Sequence, residues 1–268
     1  MKTRILAVTV FLAVLLVFLL LGVYTRVAFG IICGLICSFE ITRAVKSKHP
    51  TVQPWVCYVF TVVSGLLVLF ELYQWILYAL FLLILISFSV SVISPKHHPS
   101  EVLLTLGILF YPLSLILMMI YILTLPNPVW YTVIILGSGS AAFCDAFALF
   151  GGMAFGKHKL APLISPNKTI EGSVSGSAST VLLGVLLYFL FNKLNIIEIA
   201  LWKTILICFL NSIVGQFGDL IASAIKREFA IKDYSKLIPG HGGLTDRLDS
   251  HFFTIPLSYL LLTLLSVI

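Results

Sequence analysis

Charge is what this chain of 268 residues has least of. Asp, Glu, Lys and Arg make up 10% of it, against about 25% in ordinary globular proteins. So little charge excludes an intrinsically disordered chain and a soluble nucleic-acid binder, both of which need polar surface throughout. Cysteine is sparse as well, at five residues. Cys33, Cys37, Cys57, Cys144 and Cys208 all lie in apolar stretches, as buried thiols do, and this excludes a disulfide-built secreted domain. Cys33 and Cys37 share a helix face, but two thiols alone make a weak metal site. What fills the chain instead is apolar: 60% hydrophobic residues and a mean hydropathy of +1.10. A soluble domain of this length cannot withdraw that much apolar surface from water. The composition therefore predicts an all-α, polytopic integral membrane protein.

Crossing about 30 Å of hydrocarbon takes about 20 helical residues. Charge-poor runs at 5–23, 27–42, 51–70, 72–94, 102–125, 129–150, 172–192, 200–222 and 250–268 give about nine transmembrane helices. Segment 27–42 is short and leaves a tilted or re-entrant course open. The first run is expected to be a true span rather than a cleaved signal, because no small-residue cleavage site precedes Arg26. With the N-terminus in the cytoplasm, 14 of the 17 basic residues fall on the inner side, and only Arg26, Lys193 and Lys203 fall outside. That bias sets the orientation. Residues 1–124 then form an N-terminal group of transmembrane helices. Residues 125–268 form a C-terminal catalytic region whose two long loops, 151–171 and 223–249, share the cytoplasmic face. Polar chemistry is expected there, since long loops can carry it without stranding charge in lipid.

Two carboxylates sharpen the search. Asp145 and Asp219 each lie near the end of an apolar segment that leads into one of those loops. At that depth a carboxylate needs a cation, a basic partner or a watery cavity. Glu40, Glu71 and Glu101 sit at segment edges, where solvated structural roles are expected. The stretch 223–249 is the polar exception in the chain, with nine charged residues among 27. Gly240, Gly242 and Gly243 permit the close backbone approach used by loops that hold phosphate. Asp246 and Asp249 fall on one helix face if a helix begins there, and hard oxygen ligands of that kind suit Mg²⁺. A cytoplasmic loop with mutually paired charges is the structural alternative.

The string S-x-I-K-R-x4-K-D-x-S-x2-I-P-x-H-G-G-L-x-D-R-L-D, running from Ser223 to Asp249, resembles the signature of the phosphatidate cytidylyltransferases, or CDP-diacylglycerol synthases. The resemblance extends to Asp145, to Gly156-Lys157-His158-Lys159 and to Ser165-Pro166-Asn167-Lys168-Thr169-x-Glu171-Gly172. The first third of the chain shares only the multi-span character. The resemblance implies a Mg²⁺-dependent reaction in phospholipid biosynthesis: CTP and phosphatidic acid give CDP-diacylglycerol and pyrophosphate. It also implies a multi-pass protein of the cell membrane with a cytoplasmic catalytic face, and a homodimer.

Such a reaction needs positioning and charge neutralisation more than a nucleophile. On this reading Asp219 and Asp246 hold Mg²⁺ on the CTP phosphates, and Asp249 completes the cluster. A second cation is an option under the two-metal scheme. Lys226, Arg227, Lys232 and Arg247 neutralise phosphates, with Gly242 and Gly243 offering backbone. Lys168, following Ser165 at the start of a helix, reaches a phosphate from the other loop. His241 either donates to the leaving pyrophosphate or is a structural turn residue. Glu171 and Ser173 either join the site or cap the helix, and Asp145 binds metal or pairs with a loop lysine. The small-residue runs 137–141 and 172–177 are read as helix packing. Another CTP-using lipid enzyme, of the CDP-archaeol synthase or polyprenol kinase type, is the nearest alternative. A secondary transporter is further off, because no inverted repeat is visible.

Overall fold

This computed structural model describes residues 18, 20–94, 98–237 and 242–268. The chain is mostly helical. Among the described residues six helices are long and apolar enough to cross a membrane: α1 (Val23–Lys46), α3 (Gln74–Ile93), α4 (Pro99–Thr124), α5 (Val129–Phe155), α6 (Ile170–Lys193) and α7 (Leu201–Glu228). Two apolar helices are shorter, α2 (Pro54–Leu69) and α9 (His251–Leu264), and α8 (Thr245–Leu248) is a single turn. The first expected span, 5–23, lies mostly outside the described residues, as do Lys2, Arg4 and Lys96. Segment 27–42 is not short: it belongs to the 24-residue α1.

The all-α expectation is corrected at one point. Within the 151–171 loop the chain forms an antiparallel hairpin of β1 (Lys159–Ala161) and β2 (Ser165–Thr169), paired Lys159 to Thr169 and Ala161 to Ser165. Both expected loops are also shorter than their charge pattern implied. Residues 151–155 continue α5 and residues 223–228 continue α7. Lys226 and Arg227 suit a helical last turn, where cations meet the negative end of the helix dipole.

Two compact units are present, Met1–Thr124 with Glu228–Arg247, and Leu125–Arg227 with Leu248–Ile268. In the first, α1, α2 and α4 pack through glycines. A Cβ on Gly30 would lie 2.7 Å from Ile120, one on Gly34 2.7 Å from Thr61, and one on Gly65 2.5 Å from Ile31. Small residues let membrane helices approach closely where no hydrophobic drive joins them. Pro112 interrupts α4, and Tyr111 leaves the helical region there, because proline removes a donor and crowds the preceding turn. Helix α3 turns most of its surface outward, including Leu77, Phe81 and Val92, as a lipid-facing helix does.

In the second unit the same device recurs, and the small-residue runs pack as expected. Gly172 and Gly176 face α5, where a Cβ would lie 2.5 Å from the Ala148 carbonyl and 2.8 Å from that of Cys144. Gly137 faces α9, 2.7 Å from Ile255. Lys203, a charge in an apolar segment, donates to the Leu265 carbonyl at 2.6 Å, where the end of α9 leaves acceptors open. Asn211 donates to Ser258 at 2.8 Å inside the core.

Candidate functional site

Helices α6 and α7 bring the upstream loop and the start of the signature together in the second unit. Helix α6 begins cleanly because Thr169 is its N-cap and accepts the Gly172 N–H at 3.1 Å. Neither Glu171 nor Ser173 caps this helix. Glu171 instead holds the entry to the hairpin, accepting the backbone N–H of Lys157 at 3.1 Å and of His158 at 3.2 Å. Its other oxygen lies 2.5 Å from His158 Nδ1. Ser173 donates to Gln216 Oε1 at 2.5 Å, and Gln216 donates to Ser177 at 3.2 Å. This polar ladder fixes α6 against α7 one turn before Asp219.

That staple sets the position of Lys168, the penultimate residue of β2, which forms an ion pair with Asp219 Oδ2. Ser223, one turn on from Asp219, donates to its Oδ1 at 3.3 Å. Arg227 reaches back to the hairpin and donates to the Ile164 carbonyl at 3.2 Å. Asp249 comes close to the same turn of α7 because Gly218 has no side chain: a Cβ there would sit 2.8 Å from the Asp249 carbonyl oxygen and 2.7 Å from Phe253. Asp249 is buried, and its Oδ1 accepts the Ser250 N–H at 2.8 Å. Burial first, and then the charge of Asp219, push its carboxyl up to about 7. Lys226 acts in the opposite sense and Asp145 adds to the rise.

Three carboxylates thus share one electrostatic neighbourhood with two lysines. The negative charges beside Asp249 disfavour its ionisation, and a cation or a phosphate–cation pair would relieve that repulsion. A hard cation such as Mg²⁺ takes one or two carboxylates and completes its shell with water and substrate phosphates. Among the described residues no group of three or more His, Cys, Asp or Glu side chains is placed to hold a metal ion by itself.

The rest of the signature belongs to the first unit. Here Asp246 is buried, and its Oδ2 accepts the N–H groups of Tyr234 and Gly243, each at 2.9 Å. Gly242 takes φ +80, and a Cβ on it would lie 2.9 Å from Asp246 Oδ2. Lys232 and Arg247 are exposed. His241 lies outside the described residues. Lys48 pairs with Glu228 Oε1 at 3.3 Å across the exposed rim.

Two expectations about acids are corrected. Glu40 and Glu101 are not solvated edge residues; they are 1% and 9% exposed. Helix α1 runs past Glu40 to Lys46, which places its side chain inside the unit rather than at a rim. Sequence reasoning also missed Ser223, Gln216 and Gly218 as parts of the Asp219 turn. The Gly215-x-x-Gly218 spacing was the available sign, since both glycines face the α9 region.

The fold and its polar end define a class: a polytopic membrane protein with a charge-dense site built at helix ends. The chain belongs to the cytidylyltransferase family, whose model matches residues 2–265. It is 45% identical over 119 residues to the phosphatidate cytidylyltransferase of Staphylococcus haemolyticus strain JCSC1435. It is 44% identical over 118 residues to that of Staphylococcus saprophyticus and 42% over 119 residues to that of Staphylococcus aureus strain COL. Each aligned stretch covers 44% of this chain and 44% of the relative, so the chain spans less than half the length of these relatives.

Proposed function

We propose that the chain is a phosphatidate cytidylyltransferase of the cell membrane. A phosphate oxygen of phosphatidic acid attacks the α-phosphorus of CTP and forms a P–O–P link. The bond between the α-phosphorus and the bridging oxygen breaks, and pyrophosphate leaves with its electrons. The acceptor oxygen is already ionised, so no strong base is needed. The difficulty is bringing two anions together, which positioned cations resolve. The observation that carries this reading is the Asp219 turn, where Lys168, Ser223 and the glycine-admitted Asp249 meet. Family membership gives that geometry its chemistry.

In this account Asp219 and Asp249, with Asp246 from the signature loop, hold Mg²⁺, with or without a second cation. Bound Mg²⁺ would neutralise the phosphates of CTP and favour departure of pyrophosphate. Lys168, Lys226, Arg227, Lys232 and Arg247 neutralise the remaining charge, Ser165, Gly242 and Gly243 bind phosphate, and His241 donates to the leaving pyrophosphate. The topology of about nine spans, with the N-terminus and both polar loops in the cytoplasm, suits a soluble nucleotide and a substrate held in the bilayer. A catalytic region over 125–268, and a homodimer, belong to the same proposal. Purified protein given CTP, phosphatidate and Mg²⁺ is expected to form CDP-diacylglycerol and to stop when EDTA is added. Absence of the product would contradict the reading.

Asp249 makes the metal step pH-dependent. Its carboxyl is raised to about 7, so the folded protein holds this proton from about pH 4, near the ordinary carboxyl value, up to about 7. The stabilisation from that proton is full below the ordinary value and lost as pH rises through 7. Metal binding requires the carboxylate. Mg²⁺ affinity is therefore expected to fall as pH drops from 8 to 6, with proton release at pH 7. Titration calorimetry in buffers of different ionisation enthalpy reads this release. Asp249→Asn should remove it, and equal release in that variant would reject the assignment.

A further inference from the structure

The signature loop is held from outside the signature. Glu40 lies on α1, in the third of the chain where no motif was found, and it is 1% exposed. Its Oε1 accepts the Ser235 O–H at 2.5 Å and the Leu244 N–H at 3.0 Å, and its Oε2 accepts the Thr245 N–H at 2.8 Å. A buried carboxylate is kept only where donors meet it, and bonds to a charged acceptor are the stronger kind. Leu244 and Thr245 supply two backbone donors that the short turn of α8 leaves without helical acceptors. A second feature points the same way. A Cβ on Gly243 would lie 2.5 Å from Glu40 Oε1 and 2.7 Å from its Cδ. The glycine is required by the carboxylate, not by a positive φ. Asp246 ties the same neck from within, through Tyr234 and Gly243.

We infer that Glu40 is a positioning residue for the proposed reaction: it fixes Ser235 and the turn 242–246, and through that turn Asp246 and the backbone of Gly242 and Gly243. This rests on the cytidylyltransferase reading. The Glu40 oxygens are taken up by Ser235, Leu244 and Thr245, so it acts by setting where these groups stand. Glutamine at this place keeps the size but replaces one acceptor oxygen with a donor that faces donors.

The test has two independent arms. In Glu40→Gln, KM for CTP should rise at least tenfold while KM for phosphatidate stays within twofold, a split that simple loss of folded protein would not give. Gly243→Ala should lower kcat/KM at least tenfold with Glu40 present and less than threefold in a Glu40→Ala background, where the added methyl has room. Hydrogen exchange in full-length protein should show faster amides at Leu244 and Thr245 in Glu40→Gln, with exchange elsewhere in α1 unchanged. If the native protein makes no CDP-diacylglycerol, the functional reading fails, and the exchange arm alone decides whether Glu40 holds the loop. Native exchange at both amides in Glu40→Gln, or an equal effect of Gly243→Ala in both backgrounds, overturns the inference.

Discussion

Asp219→Asn is expected to lower turnover of CTP and phosphatidate by about 10²- to 10³-fold, the scale seen when one preorganised electrostatic contact is removed from a transition state. The carboxylate is held from two sides, by Lys168 and by Ser223. Asparagine preserves shape and one acceptor, so the helix and its packing should survive. What it loses is the negative charge that would hold Mg²⁺ and keep Lys168 in place. The change in thermal stability should be small, because both partners keep about a quarter of their side-chain surface in solvent and pairs so exposed contribute at most about 1 kcal/mol. The check is turnover beside a thermal unfolding curve in detergent. Unchanged turnover in a folded Asp219→Asn protein would remove this residue from the mechanism.

Asp246 separates chemistry from scaffolding, because two substitutions should part company there. Asp246→Asn retains an oxygen that can accept from Tyr234 and Gly243, so the loop neck should close and stability should fall by only about 1 kcal/mol. Its turnover should still fall by about 10²-fold or more, since an amide is a poor ligand for a hard cation. Asp246→Ala leaves two buried N–H groups without their acceptor. That costs about 1–3 kcal/mol for each group, so this variant should lose stability as well as activity. Activity in Asp246→Asn close to that of the native protein would leave Asp246 with only the structural task.

Much of this was legible in the sequence, and the rest fails for physical reasons. The apolar runs locate the helices well, because lipid demands about 20 uncharged residues whatever their order. The loop limits were read too wide. Charge marks where solvent begins, whereas helices continue past that point, and residues 223–228 remain in α7 for this reason. The hairpin of β1 and β2 escaped notice because eleven residues with two prolines and two lysines carry no strand periodicity. Asp219, Lys168 and Asp249 were singled out as charges near helix ends, and their meeting in one unit is a matter of tertiary placement. Glu40 illustrates the limit best. A single glutamate near a segment edge reads as a solvated residue, and only the three donors that converge on it from 195 to 205 positions away reveal otherwise.

The most direct measurement follows the label of CTP through one reaction. Purified protein receives phosphatidate, Mg²⁺ and CTP labelled at either the α- or the γ-phosphate. The account predicts that α-label enters the lipid as CDP-diacylglycerol, that γ-label leaves as pyrophosphate in equal amount, and that EDTA stops both until Mg²⁺ is restored. Transfer of γ-label to the lipid would identify a kinase instead, and no label in lipid from either CTP would contradict the account altogether.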